Sequence, residues 1–243
     1  MYRGIKDLHN NNIAAKDGNI GKVRTFYFED DSWTIRYLVA DTGKWLPGKR
    51  VLLSTAALEK PEWDKNEFPV DLTKKQIENS PDIGNEKPVS RQKEIDVINY
   101  YKWPVYWTAD RPRDYGHPNS PAKPSSEGVK RESLREKDNT SGNPHLRDSR
   151  EVLGYGIHAS DGEIGNVEDF IIDDDNWEIH RLVIDTSNFI LDGKRVIISP
   201  EEVKSVDWTN SKVHVDLSTE EIKSNPEFDY SKLGAANDQV KNI

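Results

Sequence analysis

Short runs of alternating apolar and polar residues organise most of this chain. The clearest run has Trp33, Ile35, Tyr37 and Val39 on one face of a strand. Leu38 lies on the opposite face, so the centre of this strand is apolar on both sides, as expected for a strand inside a barrel. The pattern predicts a mainly β fold.

Turn signals separate these runs. The Asp-Gly pairs at 17–18 and 161–162 are typical of hairpin turns, because glycine tolerates a positive φ. Thr73 and Ser218 are predicted N-caps of a short helix after the last strand of each half. The predicted strands lie near residues 12–16, 20–29, 33–41, 49–54 and 67–72, and again near 156–160, 164–173, 177–185, 194–199 and 211–217.

The two halves are copies of one another. Residues 17–81 recur as residues 161–226, shifted by 144 positions and then by 145 after one inserted residue. A repeat of this length indicates a duplicated domain, not a solenoid unit. We therefore predict a first repeat over 1–82 and a second over 149–230.

The segments outside the repeats differ from each other. Residues 83–107 are predicted to be a helix followed by an aromatic tail, with Ser90 as the N-cap of the helix. Residues 108–148 contain few large apolar side chains, so we expect a flexible linker. Residues 231–243 are expected to be a disordered tail.

Composition excludes several kinds of chemistry. The chain has no cysteine, which removes disulfides, thiolate metal sites and thiol catalysis. No apolar run is long enough to cross a bilayer, so we expect no membrane insertion and a cytoplasmic location.

Charge is unevenly distributed. The net charge is −9, and residues 151–243 carry 20 acidic and 8 basic side chains. Such a surface repels phosphate backbones, so we expect no direct nucleic-acid binding.

The ordered motifs resemble the PRC-barrel family. Each repeat contains Asp-Gly-x-Ile-Gly-x-Val, an acidic turn, Trp-x-Ile-x-x-Leu-Val-x-Asp-Thr and Gly-Lys-Arg-Val. The family takes its name from the cytoplasmic domain of the photosynthetic reaction centre H subunit. A related barrel forms the C-terminal half of a ribosome maturation factor. The segment from Ser90 to Trp107 also resembles that of bacterial proteins with tandem PRC-barrels. The resemblance implies two small, mostly antiparallel β-barrels with short helices, and it implies no catalytic residues.

The acidic turns are the candidate metal ligands. Clustered carboxylates at Asp30, Asp31, Asp174 and Asp175 could hold Ca²⁺ or Mg²⁺. The favoured alternative is a hairpin turn in which aspartate binds its own backbone. We therefore expect no resident metal and no cofactor.

Two further polar motifs occur in both repeats. Asp41 and Asp185 each end a strand, where a turn that binds its own backbone is favoured over acid–base chemistry. The basic pairs at 49–50 and 194–195 could grip a phosphate or a carboxylate, but a solvated strand edge is favoured.

The histidines do not have metal-ligand spacing, so zinc and histidine-based catalysis are not expected. They are His9, His117, His145, His158, His180 and His214.

The aromatic tail has two interpretations. Tyr101, Trp103, Tyr106 and Trp107 can pack on the first repeat or anchor a partner protein. Both interpretations apply if the tail docks into the other repeat.

The leading functional hypothesis is a non-catalytic protein-interaction scaffold with a protein partner. The two repeats are expected to pair through a pseudo-twofold interface within the chain, or the chain is expected to form a homodimer. The family resemblance suggests a second hypothesis, that the chain is a peripheral accessory docked on the cytoplasmic face of a membrane electron-transfer complex. It also suggests a ribosome-associated role, which is the weaker hypothesis. A metal-binding protein at the acidic turns is a further alternative.

Overall fold

The computed structural model describes residues 1–84, 89–107, 146–189 and 193–233. Within these ranges the protein is mainly β. The strands are β1 (Tyr2–Gly4), β2 (Asn12–Ala15), β3 (Gly18–Glu29), β4 (Thr34–Asp41), β5 (Arg50–Ser54), β6 (Glu67–Pro69), β7 (Leu146–Asp148), β8 (Gly156–Ala159), β9 (Gly162–Asp173), β10 (Glu178–Asp185), β11 (Arg195–Ile198), β12 (Val203–Asp207) and β13 (Lys212–Val215). The α-helices are α1 (Ile5–Leu8), α2 (Lys74–Glu78), α3 (Arg91–Tyr101), α4 (Ser149–Val152) and α5 (Thr219–Ser224).

One large sheet passes through both repeats and curls into a half-barrel. Its strand order is β12-β13-β8-β9-β10-β4-β3-β2-β6. Strands β1, β5, β7 and β11 pair with β9, β4, β3 and β10, respectively. The repeats join where β10 meets β4, through the pair Glu178 and Thr34.

The predicted strands of each repeat are confirmed, with small changes at their ends. The long hairpin strands begin at the Asp-Gly turns, as expected. Gly21 lies where the hairpin bends: its φ is 138°, and a Cβ there would lie 2.0 Å from the carbonyl oxygen of Asp41. Only glycine permits this approach, so the repeated Gly-x-x-Gly motif has a structural role. Strand β12 was not predicted, because residues 203–207 lack a clear apolar alternation.

The first strand of each repeat is exchanged. Tyr2 pairs with Asp173 in the second repeat, and Leu146 pairs with Glu29 in the first. The two registers match, because both partners shift by 144 positions. Residues 146–148 were predicted to lie in the linker, and this part of the prediction is wrong. Three residues are too few to show a periodicity, and their partner strand lies in the other repeat.

A single apolar core extends through both repeats. Phe28 lies 5.8 Å from Phe170, and Phe26 lies 6.2 Å from Trp177, measured between ring centroids. Aromatic pairs at such distances stabilise a core beyond the area that they bury. The two repeats therefore depend on one another for their packing.

Each repeat also has a second apolar face, which is covered by the segment that follows it and, on the second repeat, also by Tyr2 of the exchanged strand. On the first repeat, α3 and the segment before it pack on the sheet, and the aromatic tail adds Trp103 and Tyr106. The buried cluster so formed comprises Tyr27, Tyr37, Val39, Leu52, Ile83, Val89, Val97 and Leu146. On the second repeat, Tyr2, Phe228, Tyr230 and Leu233 cover the cluster formed by Ile171, Val183 and Ile197. Residues 231–233 belong to the tail that was predicted to be disordered; of these, Leu233 instead takes part in this cover, because its apolar side chain packs on an apolar sheet face. The remainder of that predicted tail, and residues 108–145 of the predicted linker, lie outside the described residues.

The predicted helix caps are confirmed. The Ser90 hydroxyl accepts a hydrogen bond from the Lys93 amide at the start of α3. Thr73 and Ser218 each form a complete capping box with the glutamine or glutamate three residues later. Among the residues that the structure describes, no helix has the length and apolar character needed to span a membrane.

Candidate functional site

The two acidic turns lie where the repeats join. Each turn ends in a tryptophan with left-handed backbone, Trp33 at φ 52° and Trp177 at φ 62°. Such a conformation is costly for a bulky residue. It is maintained here because the Ile35 amide donates to the Trp177 carbonyl at 2.8 Å, and the Ile179 amide donates to the Trp33 carbonyl at 2.7 Å.

The first acidic turn holds the exchanged strand β7. The guanidinium of Arg147 donates through Nε to Asp30 at 3.0 Å. The same guanidinium lies 3.9 Å from the centre of the Trp208 ring, a cation–π contact. Asp31 is exposed at the tip of the turn.

The second turn holds β1 in the same way. Arg3 lies 3.6 Å from Asp174 and 3.9 Å from the centre of the Trp63 ring. The ammonium group of Met1 lies within 2.5 to 3.1 Å of all three carboxylates of residues 173–175. Burial alone would lower the pKa of this ammonium, but the three carboxylates outweigh burial and raise the pKa to about 10.

Three of the four predicted metal ligands therefore already have cationic partners. Asp30 and Asp174 bind arginines of the exchanged strands, and Asp175 lies 3.1 Å from the Met1 ammonium. The carboxylates of residues 173–175 do lie close enough together to share an ion. A metal ion there would have to displace the ammonium group, so metal binding at these turns stays a prediction.

A groove of about 890 Å³ runs beside the first acidic turn and is lined by both repeats. We call it the seam groove. Its lining comprises Glu29, Asp30, Asp31, Ser32, Trp33, Thr34, Arg36, Tyr106, Glu178, Ile179, His180, Arg181, Ser199, Pro200, Glu201 and Val203. Asp31, Glu178 and Glu201 are exposed at its rim, so the rim is acidic.

The basic side chains of the seam groove are held by neighbours. Arg36 donates to Glu29 at 2.6 Å, and its guanidinium lies 4.6 Å from the centre of the Tyr106 ring. The His180 ring stacks on Tyr2 of the exchanged strand with a centroid distance of 4.9 Å. These contacts fix the walls of the groove.

The aromatic tail packs on the first repeat around a buried carboxylate. Glu94 is fully buried; it accepts a hydrogen bond from the Tyr106 hydroxyl at 2.7 Å and pairs with Arg91 at 3.1 Å. Arg91 lies 3.9 Å from the centre of the Trp107 ring, and the Tyr106 ring meets Tyr37 edge to face. Burial raises the pKa of Tyr106 well above its usual value, so this hydroxyl stays a donor.

Tyr101 and Trp103 stack on each other with a centroid distance of 4.2 Å. Both rings are partly buried and pack against the core clusters. The packing interpretation of the tail is therefore supported for Tyr101, Trp103 and Tyr106, and partner contact by the four predicted residues stays a prediction.

The basic pairs bind the protein itself. Lys49 donates to the carbonyl of Glu78, the last residue of α2, at 2.5 Å and to that of Ser80, just beyond the helix, at 2.6 Å. Lys194 donates to the Asn225 carbonyl at 2.6 Å, the equivalent position after α5. These lysines satisfy carbonyls at a helix C-terminus, so the interpretation as a freely solvated edge is wrong for them.

The strand-ending aspartates form the expected turns. Asp41 accepts from the Gly43 amide at 2.9 Å, and Asp185 accepts from the Ser187 amide at 2.8 Å. The two carboxylates thus have local structural partners, as predicted.

Sequence reasoning missed the buried aspartates at the strand exchange. Asp148 accepts from Thr25 and from the Arg150 amide, and Asp169 accepts from the Lys6 amide at 3.1 Å. Burial raises the pKa of Asp169 to about 6. The Thr25–Asp148 and Lys6–Asp169 contacts join residues more than 120 positions apart, so local patterns contain no information about them.

Sequence reasoning also missed a pair of histidines. His158 and His214 lie on neighbouring strands with their ring centroids 5.3 Å apart, and His158 Nε2 lies 2.7 Å from a Glu163 carboxylate oxygen. The parallel pairing of β8 with β13 brings them together. Their absence from the first repeat was the available sequence signal.

No protein-family model matches the chain. A search of curated proteins finds none that is similar. The PRC-barrel resemblance therefore rests on the motifs of this sequence and stays a prediction.

Proposed function

We propose that this chain is a non-catalytic protein-interaction scaffold, in which two PRC-type β-barrels are joined by exchange of their first strands. The observation that carries the proposal is the seam groove, whose walls come from both repeats. The exchange and the shared core hold these walls in fixed relation, and a preformed surface loses little entropy when it binds.

The groove suits an extended basic segment of a protein partner. Its lining includes the partly exposed side chains of Trp33 and Val203, which offer apolar contact. Its rim has the exposed carboxylates of Glu178 and Glu201. An apolar centre with a charged rim is the usual organisation of a specific protein interface. Acidic rim charges would accelerate encounter with a basic partner.

The test is affinity capture of proteins from the source cells with the full chain and two variants. Glu178→Lys combined with Glu201→Lys reverses the charge of the rim. Glu59→Lys is the control, since Glu59 is exposed beside a different pocket on the other side of the seam. We expect a partner that binds the wild-type and control proteins and is lost from the rim variant, with binding that weakens at high salt.

Equal capture by all three proteins would contradict the groove as the interface. A small molecule that raises the melting temperature, with no protein captured, would contradict the scaffold proposal itself.

A further inference from the structure

Three side chains with metal-binding groups lie in a row across one corner of the sheet. His214 on β13 pairs directly with His158 on β8, and His158 pairs directly with Glu163 on β9. Directly paired residues of neighbouring strands project from the same face of a sheet. The two imidazoles and the carboxylate therefore share one face.

Two of the three donor groups already converge. His158 Nε2 and a Glu163 carboxylate oxygen are 2.7 Å apart, and the Nε2 atom is shielded from solvent. The His214 ring lies beside them at 5.3 Å from the His158 ring, with 44° between the planes. Zinc lies about 2.0–2.1 Å from an imidazole nitrogen. Binding therefore requires a small widening of the His158–Glu163 contact and a rotation of the His214 side chain, whose nitrogens do not yet lie within 4.8 Å of both other donor atoms.

Access to this position is open. The Glu163 side chain is 52% exposed, so an ion can reach it from solvent. Gly156 precedes His158 on the same face; even a Cβ there would stay 3.8 Å from the Glu163 oxygen and 3.9 Å from His158 Nε2.

We propose that His158, His214 and Glu163 bind a divalent transition-metal ion, with Zn²⁺ as the expected occupant. Two imidazoles and one carboxylate are a ligand set that suits zinc, whereas Ca²⁺ and Mg²⁺ prefer oxygen ligands alone. Three protein ligands leave a coordination position for water or for a ligand atom of another molecule. This site is separate from the seam groove and does not depend on the proposed function.

The site belongs to the second repeat alone. The aligned positions of the first repeat hold Ala14, Asn19 and Pro69 in place of the three ligands. The first repeat forms the same strands without these side chains, so the fold does not require them. The first repeat is thus a copy of the same strands that lacks the metal-binding side chains.

The test is titration of the full chain with Zn²⁺ by calorimetry, together with Co²⁺ as a spectroscopic probe. We expect one ion per chain and a Co²⁺ absorption spectrum typical of mixed nitrogen and oxygen ligands. His158→Ala and His214→Ala should each weaken affinity by at least about 10-fold, a loss of about 1.4 kcal/mol. Glu163→Gln should weaken it less, because the amide oxygen is still a donor.

Two matched controls separate this site from other candidates. His180→Ala removes a histidine that stacks on Tyr2, and Asp175→Asn removes a carboxylate of the second acidic turn. Neither should change Zn²⁺ affinity. If a histidine variant is not folded by circular dichroism, His214→Gln with the Co²⁺ spectrum replaces it.

Absence of Zn²⁺ binding below millimolar concentration would overturn the proposal and leave a simple histidine–glutamate ion pair. Zn²⁺ binding that survives His214→Ala but is lost in Asp175→Asn would overturn it in favour of the acidic turn.

Discussion

The two strand exchanges use the same hydrogen bond but place its carboxylate on opposite partners. Where β7 enters the first repeat, Asp148 on the entering segment accepts from the Arg150 amide at 3.0 Å. Where β1 enters the second repeat, Gly4 takes the equivalent position. There, Asp169 on the receiving strand accepts from the equivalent amide, that of Lys6, at 3.1 Å.

The difference shows that the duplication preserved an interaction and not a residue. Both amides belong to the first turn of a short helix, where an acceptor is needed. The position aligned with Asp169 is Thr25, whose hydroxyl donates to Asp148 in the first repeat. Each junction therefore holds one buried carboxylate, and a second would be in conflict with it.

The largest expected effect comes from placing two carboxylates in one junction. A Cβ on Gly4 would lie 2.7 Å from the Asp169 carboxylate, so Gly4→Asp should destabilise the protein by about 3–5 kcal/mol through steric overlap and like charge in a buried site. Gly4→Asp with Asp169→Thr rebuilds the arrangement of the first repeat and should recover most of that loss. Urea denaturation of the two single variants and the double variant measures the coupling.

The control is Gly162→Asp, which adds a carboxylate to the second repeat where nothing lies within 4 Å. We expect less than about 1 kcal/mol of destabilisation there. If the double variant were as unstable as the sum of its single substitutions, the two junctions would not be interchangeable.

The elements of the fold could be predicted from sequence where the cause is local. The Asp-Gly turns, the apolar alternation after Trp33 and the Ser90 cap each depend on neighbours along the chain, and these predictions are confirmed. The exchange could not be predicted, because Leu146 is buried by residues far away in the sequence. The same holds for the candidate site. The acidic turns were predicted from the sequence, but their arginine partners were not, because these lie on strands that show no apolar pattern.

The covers of the two outer faces give the second comparison. The cover of the first repeat contains buried Glu94, whose carboxylate accepts from Tyr106. Tyr106→Phe removes that donor and leaves a buried charge short of one hydrogen bond, so we expect a loss of about 1.5–3 kcal/mol. Thermal denaturation with the near-ultraviolet aromatic signal would measure the effect on this cover.

Tyr100→Phe is the matched control, because the Tyr100 hydroxyl donates to the Gln76 carbonyl at an exposed position. We expect a loss below about 1 kcal/mol there. Equal effects of the two substitutions would mean that the buried carboxylate is not the anchor of the tail.

The smallest effect in the wild-type protein is expected from pH, because two buried groups act in opposite directions. Burial, with a smaller contribution from Arg150, lowers the pKa of His9 to about 4, so only the unfolded chain takes up that proton between about pH 6.5 and 4. His9 therefore costs stability as the pH falls through this window. Burial raises the pKa of Asp169 to about 6, so the folded chain takes up a proton between about pH 6 and 4 and gains stability over nearly the same window.

In each single variant, the titratable group that remains should determine how the free energy of unfolding changes with pH. His9→Leu introduces the residue of the second repeat, Leu153, and should leave a protein that becomes more stable as the pH falls from 6 to 4. Asp169→Asn keeps an acceptor for the Lys6 amide and should leave a protein that becomes less stable over that range. Free energies of unfolding at pH 4, 5, 6 and 7 measure both, with slopes of opposite sign relative to the wild type and changes of roughly 1–2 kcal/mol. Slopes of the same sign would show that one of the two junction groups stays exposed to water, and the two junctions would then differ in hydration as well as in the position of the carboxylate.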